Sequence, residues 1–126
     1  MAVGMVITND GRNLILNRAY LRTQTVINRF RSGTGTDTPV VGDTTLQTSV
    51  FGPTAFSSGY PTFDTVANRT TARGVVGSGD ANGNTLTEAG EFNLDASPIM
   101  LSRMVHTGVS KTSAVIVLYT FRHPYV

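Results

Sequence analysis

The chain has 126 residues, no cysteine, a formal net charge of +2 and only 14% charged residues. A chain of this length forms one domain and can bury a core without disulfides, and the lack of cysteine excludes cysteine-based metal sites. The cations are scattered singly along the chain, so no nucleic-acid-binding surface is predicted. The apolar run at residues 114–121 is too short to cross a bilayer, and no membrane partner is predicted.

The polar residues favour strands over helices. Threonine suits pleated surfaces. Lys and Glu usually cover surface helices, and the chain has only one Lys and two Glu. We therefore predict an all-β fold, an antiparallel β-sandwich or jelly-roll-like single domain over residues 1–126. Since so few charges give little protection against association, the composition also favours a homo-oligomer or a partner with a broad contact surface.

The first elements in the chain are predicted to be a strand and the only helix. Residues 1–11 form an N-terminal strand or arm, which ends in the turn signal Asn-Asp-Gly at residues 9–11. Leu14 and Ile15 begin an apolar pattern at helical spacing, so at most one short helix is predicted, near residues 12–22.

Period-two alternation over residues 24–31 predicts the next strand, and residues 32–64 are predicted to be an extended, loop-rich insertion. The Gly-Thr-rich residues 32–39 have the composition of a phosphate-binding loop. Such a loop leads into a helix N-terminus, usually with a Lys at fixed spacing, and here a proline follows instead. An ordered surface loop is the preferred interpretation.

The insertion is unusually aromatic for a loop. It carries Phe51, Phe56, Tyr60 and Phe63 among prolines and glycines. Since so much apolar surface is not expected to stay in solvent, these four residues are predicted to contact a neighbouring subunit or to cover the open edge of their own sheet.

A strand is predicted over residues 65–76, and the Gly- and Asn-rich residues 77–84 turn the chain back into another strand at residues 85–92. The turn overlaps a candidate calcium loop, in which Asp80, Asn82, Asn84, Glu88 and Glu91 hold the first, third, fifth, ninth and twelfth places. The sixth place lacks the required Gly and no helix follows. A plain Asn-Gly hairpin turn is therefore preferred, and no metal or cofactor is predicted.

No grouping of catalytic residues stands out, and no enzymatic activity is predicted. Glu88 and Glu91 are three apart on a strand, which directs their side chains to opposite faces, so they cannot act as an acid/base pair. His106 and His123 have no third ligand at metal spacing, and no nucleophile-elbow pattern surrounds Ser102.

The last part of the chain contains two β-branched and aromatic runs, residues 101–109 and 114–121, separated by turn-forming residues 110–113. This pattern predicts a hairpin. The nearly continuous apolar second run predicts a strand covered on both faces, and the valines of the first run are predicted to point inward.

Several segments together resemble small structural proteins of tailed bacteriophages. Residues 30–50 run from a strand through a Gly-Thr-Gly loop into an Asp-Thr-x-Leu element, and an Asn-Gly turn follows at residues 82–83. A Thr-Glu-Ala-Gly-x-Phe strand at residues 87–92 and Lys-Thr-Ser at residues 111–113 then occur in the order of that family. The chain departs from the pattern at Glu91, whose place is usually apolar.

The resemblance implies a virion component that is all-β or nearly so, assembled in the host cytoplasm. The expected function is that of a capsid decoration or cement protein, which binds and stabilises the major capsid protein and associates with itself, for example as a trimer. Tail, baseplate or fibre-adaptor proteins are the alternative. A third interpretation is a carbohydrate- or cation-binding β module that uses Tyr60, Phe63 and the loop from Asp80 to Glu91.

Overall fold

A computed structural model describes residues 2–94 and 97–124, with side chains from residue 5 onward. The described residues form one helix and eight strands. They are β1 (Ala2–Ile7), α1 (Asn9–Tyr20), β2 (Ile27–Gly33), β3 (Ser49–Ala55), β4 (Thr62–Asp64), β5 (Arg69–Val76), β6 (Thr85–Asn93), β7 (Met100–Ser110) and β8 (Val117–Pro124). The predicted all-β fold with a single short helix is confirmed.

The strands form two antiparallel sheets. The larger sheet has the order β1-β7-β6-β2-β3 and the smaller sheet has the order β4-β5-β8. Apolar side chains from both sheets form one buried cluster, which makes the molecule a β-sandwich.

The centre of the core is Phe30 on β2. Its side chain is fully buried, and its ring lies 5.8 Å from that of Phe51, 6.2 Å from Tyr119 and 6.5 Å from Phe121 between centroids. Gly74 on the opposite sheet leaves room for this ring, since a Cβ atom there would lie 2.4 Å from two of its carbons. An aromatic side chain of one sheet therefore packs directly against a glycine of the other.

The outer face of the larger sheet, which points away from the smaller sheet, is also covered. Residues 34–48 cross this face, and Leu46 packs there in a second buried cluster with Phe92 and Met100. Strand β6 is consequently buried on both faces from Leu86 to its end. A strand covered on both faces was predicted at residues 114–121, but in the structure the strand with this burial is β6.

The predicted position of β8 is wrong, because β8 is an edge strand of the smaller sheet and pairs only with β5 among the described residues. Tyr119 and Phe121 point into the core, whereas Leu118 before them and Arg122 after them are exposed. The apolar run is nearly continuous because both its buried and its exposed positions are apolar.

The predicted hairpin of the last two strands is also wrong, since β7 lies in the larger sheet and β8 in the smaller one. Strands β5 and β6 are likewise in different sheets, so residues 77–84 do not form a hairpin turn. The connection between β5 and β6 and the connection between β7 and β8 each cross from one sheet to the other, and the two connections are hydrogen-bonded to each other. The amide of Lys111 donates to the carbonyl of Asn84 at 2.8 Å, and the amide of Gly83 donates to the carbonyl of Lys111 at 2.9 Å.

The inward direction predicted for Val105 of β7 is wrong as well. Ser102 and Met104 point between the sheets, where they contact Glu91 and the core, while Arg103 points to the outer face. Val105, two residues after Arg103, is buried on that outer side. Alternation could not reveal the inward face because residues 100–105 are buried on both faces.

The helix begins three residues earlier than the predicted residues 12–22, and the predicted turn at residues 9–11 is its first turn. Thr8 is the N-cap, and its Oγ1 accepts a hydrogen bond from the amide of Gly11 at 2.9 Å. The same hydroxyl donates to the carbonyl of Met100 at 2.6 Å, which attaches the start of α1 to β7. Asn, Asp and Gly serve turns and helix starts alike, which explains the error.

Residues 32–64 are not an insertion. They contain β3, which pairs with β2 at the edge of the larger sheet, and β4, which pairs with β5 at the edge of the smaller sheet. The segment therefore supplies one edge to each sheet. Pro53 suits its position in β3, because an edge strand does not need every backbone N–H for pairing.

Candidate functional site

The four aromatic residues predicted to contact a partner divide into two pairs. Phe56 is buried and its ring lies 6.4 Å from that of Phe121, while Phe51 packs on Phe30, so both belong to the core of their own chain. Phe51 lies on the strand of residues 49–55 rather than in a surface loop, and Phe56 follows that strand directly. These two residues therefore pack on their own chain, and a contact with a partner stays a prediction.

Tyr60 and Phe63 lie nearer the surface. The guanidinium of Arg73 stacks over the ring of Tyr60 at 5.2 Å from its centroid, so this ring is half-buried and already has a cation–π partner. Phe63 on β4 is exposed. Of the four aromatic residues, Phe63 presents the most surface to a partner.

A larger apolar surface lies on the helix. Leu14 faces β7 and is buried, but Leu16, Tyr20 and Leu21 are 57%, 82% and 70% exposed, and we call these three residues the helix patch. Leu16 and Tyr20 are four residues apart, which places them on one side of α1. Sequence reasoning missed this patch, although the i,i+4 spacing of two large apolar residues was its visible signal.

A second apolar surface lies on the outer side of the smaller sheet. Val75 and Leu118 are direct cross-strand partners, and Ile116 immediately precedes β8; all three are exposed, and we call them the sheet patch. Arg73 and Arg122 lie on the same face by strand alternation. This face therefore combines aliphatic side chains with guanidinium groups beside the open edge of β8, a composition found in protein interfaces.

Glu88 forms a polar centre on the outer face of the larger sheet. Its fully buried carboxylate accepts hydrogen bonds from the backbone amides of Gly35 at 3.1 Å, Gln47 at 3.0 Å and Thr48 at 2.7 Å. Arg103 Nε donates to the same group at 2.9 Å and its Nη1 donates to Asp43 at 3.0 Å. The Gly-Thr-rich loop thus binds an anion of its own chain.

The candidate calcium loop does not assemble. The Nζ of buried Lys111 donates to Asn82 Oδ1 at 2.9 Å and to the carbonyl of Thr112 at 2.9 Å, so an ammonium group already lies in this loop. Asp80 accepts from the amide of Gly77. Glu88 and Glu91 point to opposite faces of β6, as predicted. Within the described residues, no group of three or more His, Asp or Glu side chains could hold a metal ion.

Glu91 forms the second polar centre, between the sheets. Its Oε2 accepts a hydrogen bond from Ser102 Oγ at 2.8 Å and lies 2.5 Å from His123 Nε2. The carboxylate stands between the hydroxyl and the imidazole. In a serine hydrolase the imidazole must instead contact the hydroxyl to remove its proton. This order of groups does not activate Ser102 as a nucleophile.

A cavity of about 220 Å³ opens at the end of the sandwich beside this polar centre. Its lining is mainly aliphatic and aromatic, with Glu91 and His123 at one side, and Ile15 of the helix at the rim. The apolar lining residues are Ile7, Ile15, Ile27, Phe56, Pro61, Ala72, Leu101 and Pro124. A mostly apolar cavity with a few converging polar groups is the usual form of a small-molecule site.

Tyr119 links the core to two polar side chains. Its hydroxyl lies 2.8 Å from Ser32 Oγ and 2.9 Å from His106 Nε2. Burial raises the pKa of the Tyr119 phenol above its ordinary value of 10.0, while the hydrogen bond with Ser32 acts in the opposite direction. The charge of Glu88 adds to the increase.

The raised pKa of Tyr119 predicts a loss of stability at alkaline pH. A phenol whose pKa is higher in the folded state stabilises the fold fully below the unfolded pKa, about 10, and loses this contribution as pH rises through the folded pKa. Urea unfolding should show that the free energy of unfolding of the wild type is lower at pH 11 than at pH 8. This decrease should be smaller in Tyr119→Phe. The control is Tyr20→Phe, because Tyr20 is exposed. Equal decreases in wild type and Tyr119→Phe would contradict the prediction.

In comparisons with known proteins, no protein-family model, curated protein or solved structure matches the chain. Among the described residues, no helix has the length and apolar character needed to cross a membrane.

Proposed function

We propose that this chain is a non-enzymatic structural protein of a tailed-bacteriophage particle, acting as a capsid decoration protein that binds the major capsid protein and associates with copies of itself. The resemblance of its segments to small phage structural proteins, in their order along the chain, supports the family. A compact all-β domain agrees with what that resemblance implies.

The observation that carries the proposal is the exposure of large apolar side chains at the helix patch and the sheet patch in a chain with only 14% charged residues. Exposed apolar groups of this kind mark interaction sites in soluble proteins. The two patches lie on different elements, α1 and the β5–β8 pair, so one can contact the shell while the other contacts a second copy. Such binding spreads over a broad area and needs no pocket.

The proposal is tested on purified particles of the phage that encodes the chain. Mass spectrometry should find the protein in mature particles at a copy number comparable to that of the major capsid protein. A copy number far below that of the major capsid protein would favour the tail, baseplate or fibre adaptor instead. Its absence from mature particles would defeat both assignments.

Substitutions in the two patches test which surface binds. Leu16→Glu and Leu118→Glu each place a charge in one patch, and at least one should lower the copy number on particles about tenfold or more, since burying an unpaired charge opposes association. The matched control is Val66→Glu, because Val66 is 93% exposed and lies outside both patches. Incorporation of both patch variants at the level of the control would contradict the proposed surfaces.

A further inference from the structure

The cavity at the end of the sandwich is not needed for a purely adhesive protein. It measures about 220 Å³, roughly one and a half times the ~150 Å³ of an apolar protein cavity that stays dry and binds benzene. The space therefore accommodates a six-membered ring with a short side chain. Elements from both sheets and from α1 contribute to its wall, through Ala72, Leu101 and Ile15.

The polar side of the cavity carries a carboxyl group, that of Glu91. Glu91 is only 2% exposed, and its two contacts with Ser102 and His123 both fall on Oε2. An ionised carboxylate offers about four lone-pair sites, so it can accept a further donor. Among the described residues that line the cavity there is no Lys or Arg, so a negatively charged ligand would meet Glu91 without a permanent cation to balance it.

We propose that this cavity binds a small amphipathic amine, with its apolar body among the aliphatic walls and its ammonium group hydrogen-bonded to Glu91. The charge-assisted hydrogen bond would replace part of the hydration that the ammonium loses, and the apolar body would leave water. A buried carboxylate beside a mostly apolar cavity is costly to maintain even with contacts to Ser102 and His123, and a cationic ligand offsets part of that cost. The site is independent of whether the chain sits on a capsid.

Three probes of similar shape test the charge preference on the full chain by isothermal titration and amide chemical shifts. They are 2-phenylethylamine, 2-phenylethanol and 3-phenylpropanoate. The amine should bind with a Kd of roughly 1 mM or lower and at least tenfold more tightly than the other two. The largest shifts should be at the amides of Ala72 and Leu101, and those of Leu118 should be unchanged. Failure of all three probes to bind, or equal binding of amine and carboxylate, would overturn the proposal.

Two adjacent helix residues give a matched pair of variants. Ile15→Trp places a large ring at the rim of the cavity and should weaken binding of the amine at least tenfold, whereas Leu16→Trp lies outside the lining and should leave it unchanged. Glu91→Gln should reduce binding of the amine about tenfold without weakening 2-phenylethanol. Equal effects of the two tryptophan variants, or an unchanged amine affinity in a folded Glu91→Gln protein, would assign the binding to another surface.

Discussion

Replacing Glu88 by alanine is expected to lower the free energy of unfolding by about 3–5 kcal/mol, as is typical when one partner of a buried ion pair is removed. The substitution leaves the Arg103 guanidinium without one of its two carboxylates. It also removes the acceptor for the amides of Gly35, Gln47 and Thr48. Urea unfolding followed by circular dichroism measures the loss.

The control is Asp10→Ala, which removes an exposed carboxylate from the first turn of α1 and should cost only about 0.3–1 kcal/mol. Hydrogen exchange adds a local readout, since the amides of Gln47 and Thr48 should lose protection in Glu88→Gln before those of β6 and β7. A loss below about 1 kcal/mol in Glu88→Ala would show that the covering residues 34–48 are held by packing alone.

Gly11→Ala is the second substitution with a large expected effect. A Cβ atom at this position would lie 2.3 Å from the carbonyl oxygen of Leu101 and 2.8 Å from its Cα. Both are backbone atoms of β7, so α1 itself must move away. We expect a net destabilisation of about 1–3 kcal/mol, although alanine is favoured over glycine by about 1 kcal/mol within a helix.

Gly79→Ala provides the comparison, because nothing lies within 4 Å of a Cβ atom there and its backbone is not left-handed. Its free energy of unfolding should match or slightly exceed that of the wild type. Thermal and urea unfolding of both variants gives the difference. A stabilised Gly11→Ala protein would mean that helix propensity outweighs the close approach of α1 to β7.

The sequence predicted which segments are strands better than it predicted their partners. Alternation located most of β2, β5, β6 and β7, because burial of one or both faces leaves a period of two in the residue types. Alternation contains no information on which strands are neighbours in a sheet. The polar residues 110–113 suit a tight turn and a crossing between sheets equally well, so the hairpin of β7 and β8 was predicted where none exists.

The polar centres were predictable only in part. The spacing of Glu88 and Glu91 correctly predicted side chains on opposite faces of one strand. Their partners could not be predicted, since Gly35, Arg103 and His123 are distant in sequence and come together only through the order of strands. Burial of Glu88 also has no local signal, because a carboxylate that accepts several amides looks the same in sequence as one in water.

The pairing of β1 with β7 has a consequence for synthesis. Ala2 pairs with His106, so β1 does not have its partner among the described strands until β7 has left the ribosome. Until then its apolar side chains and backbone groups are open to other nascent chains or to chaperones. Completion of the larger sheet therefore waits for the synthesis of β7, and pairings between strands so distant in sequence form slowly.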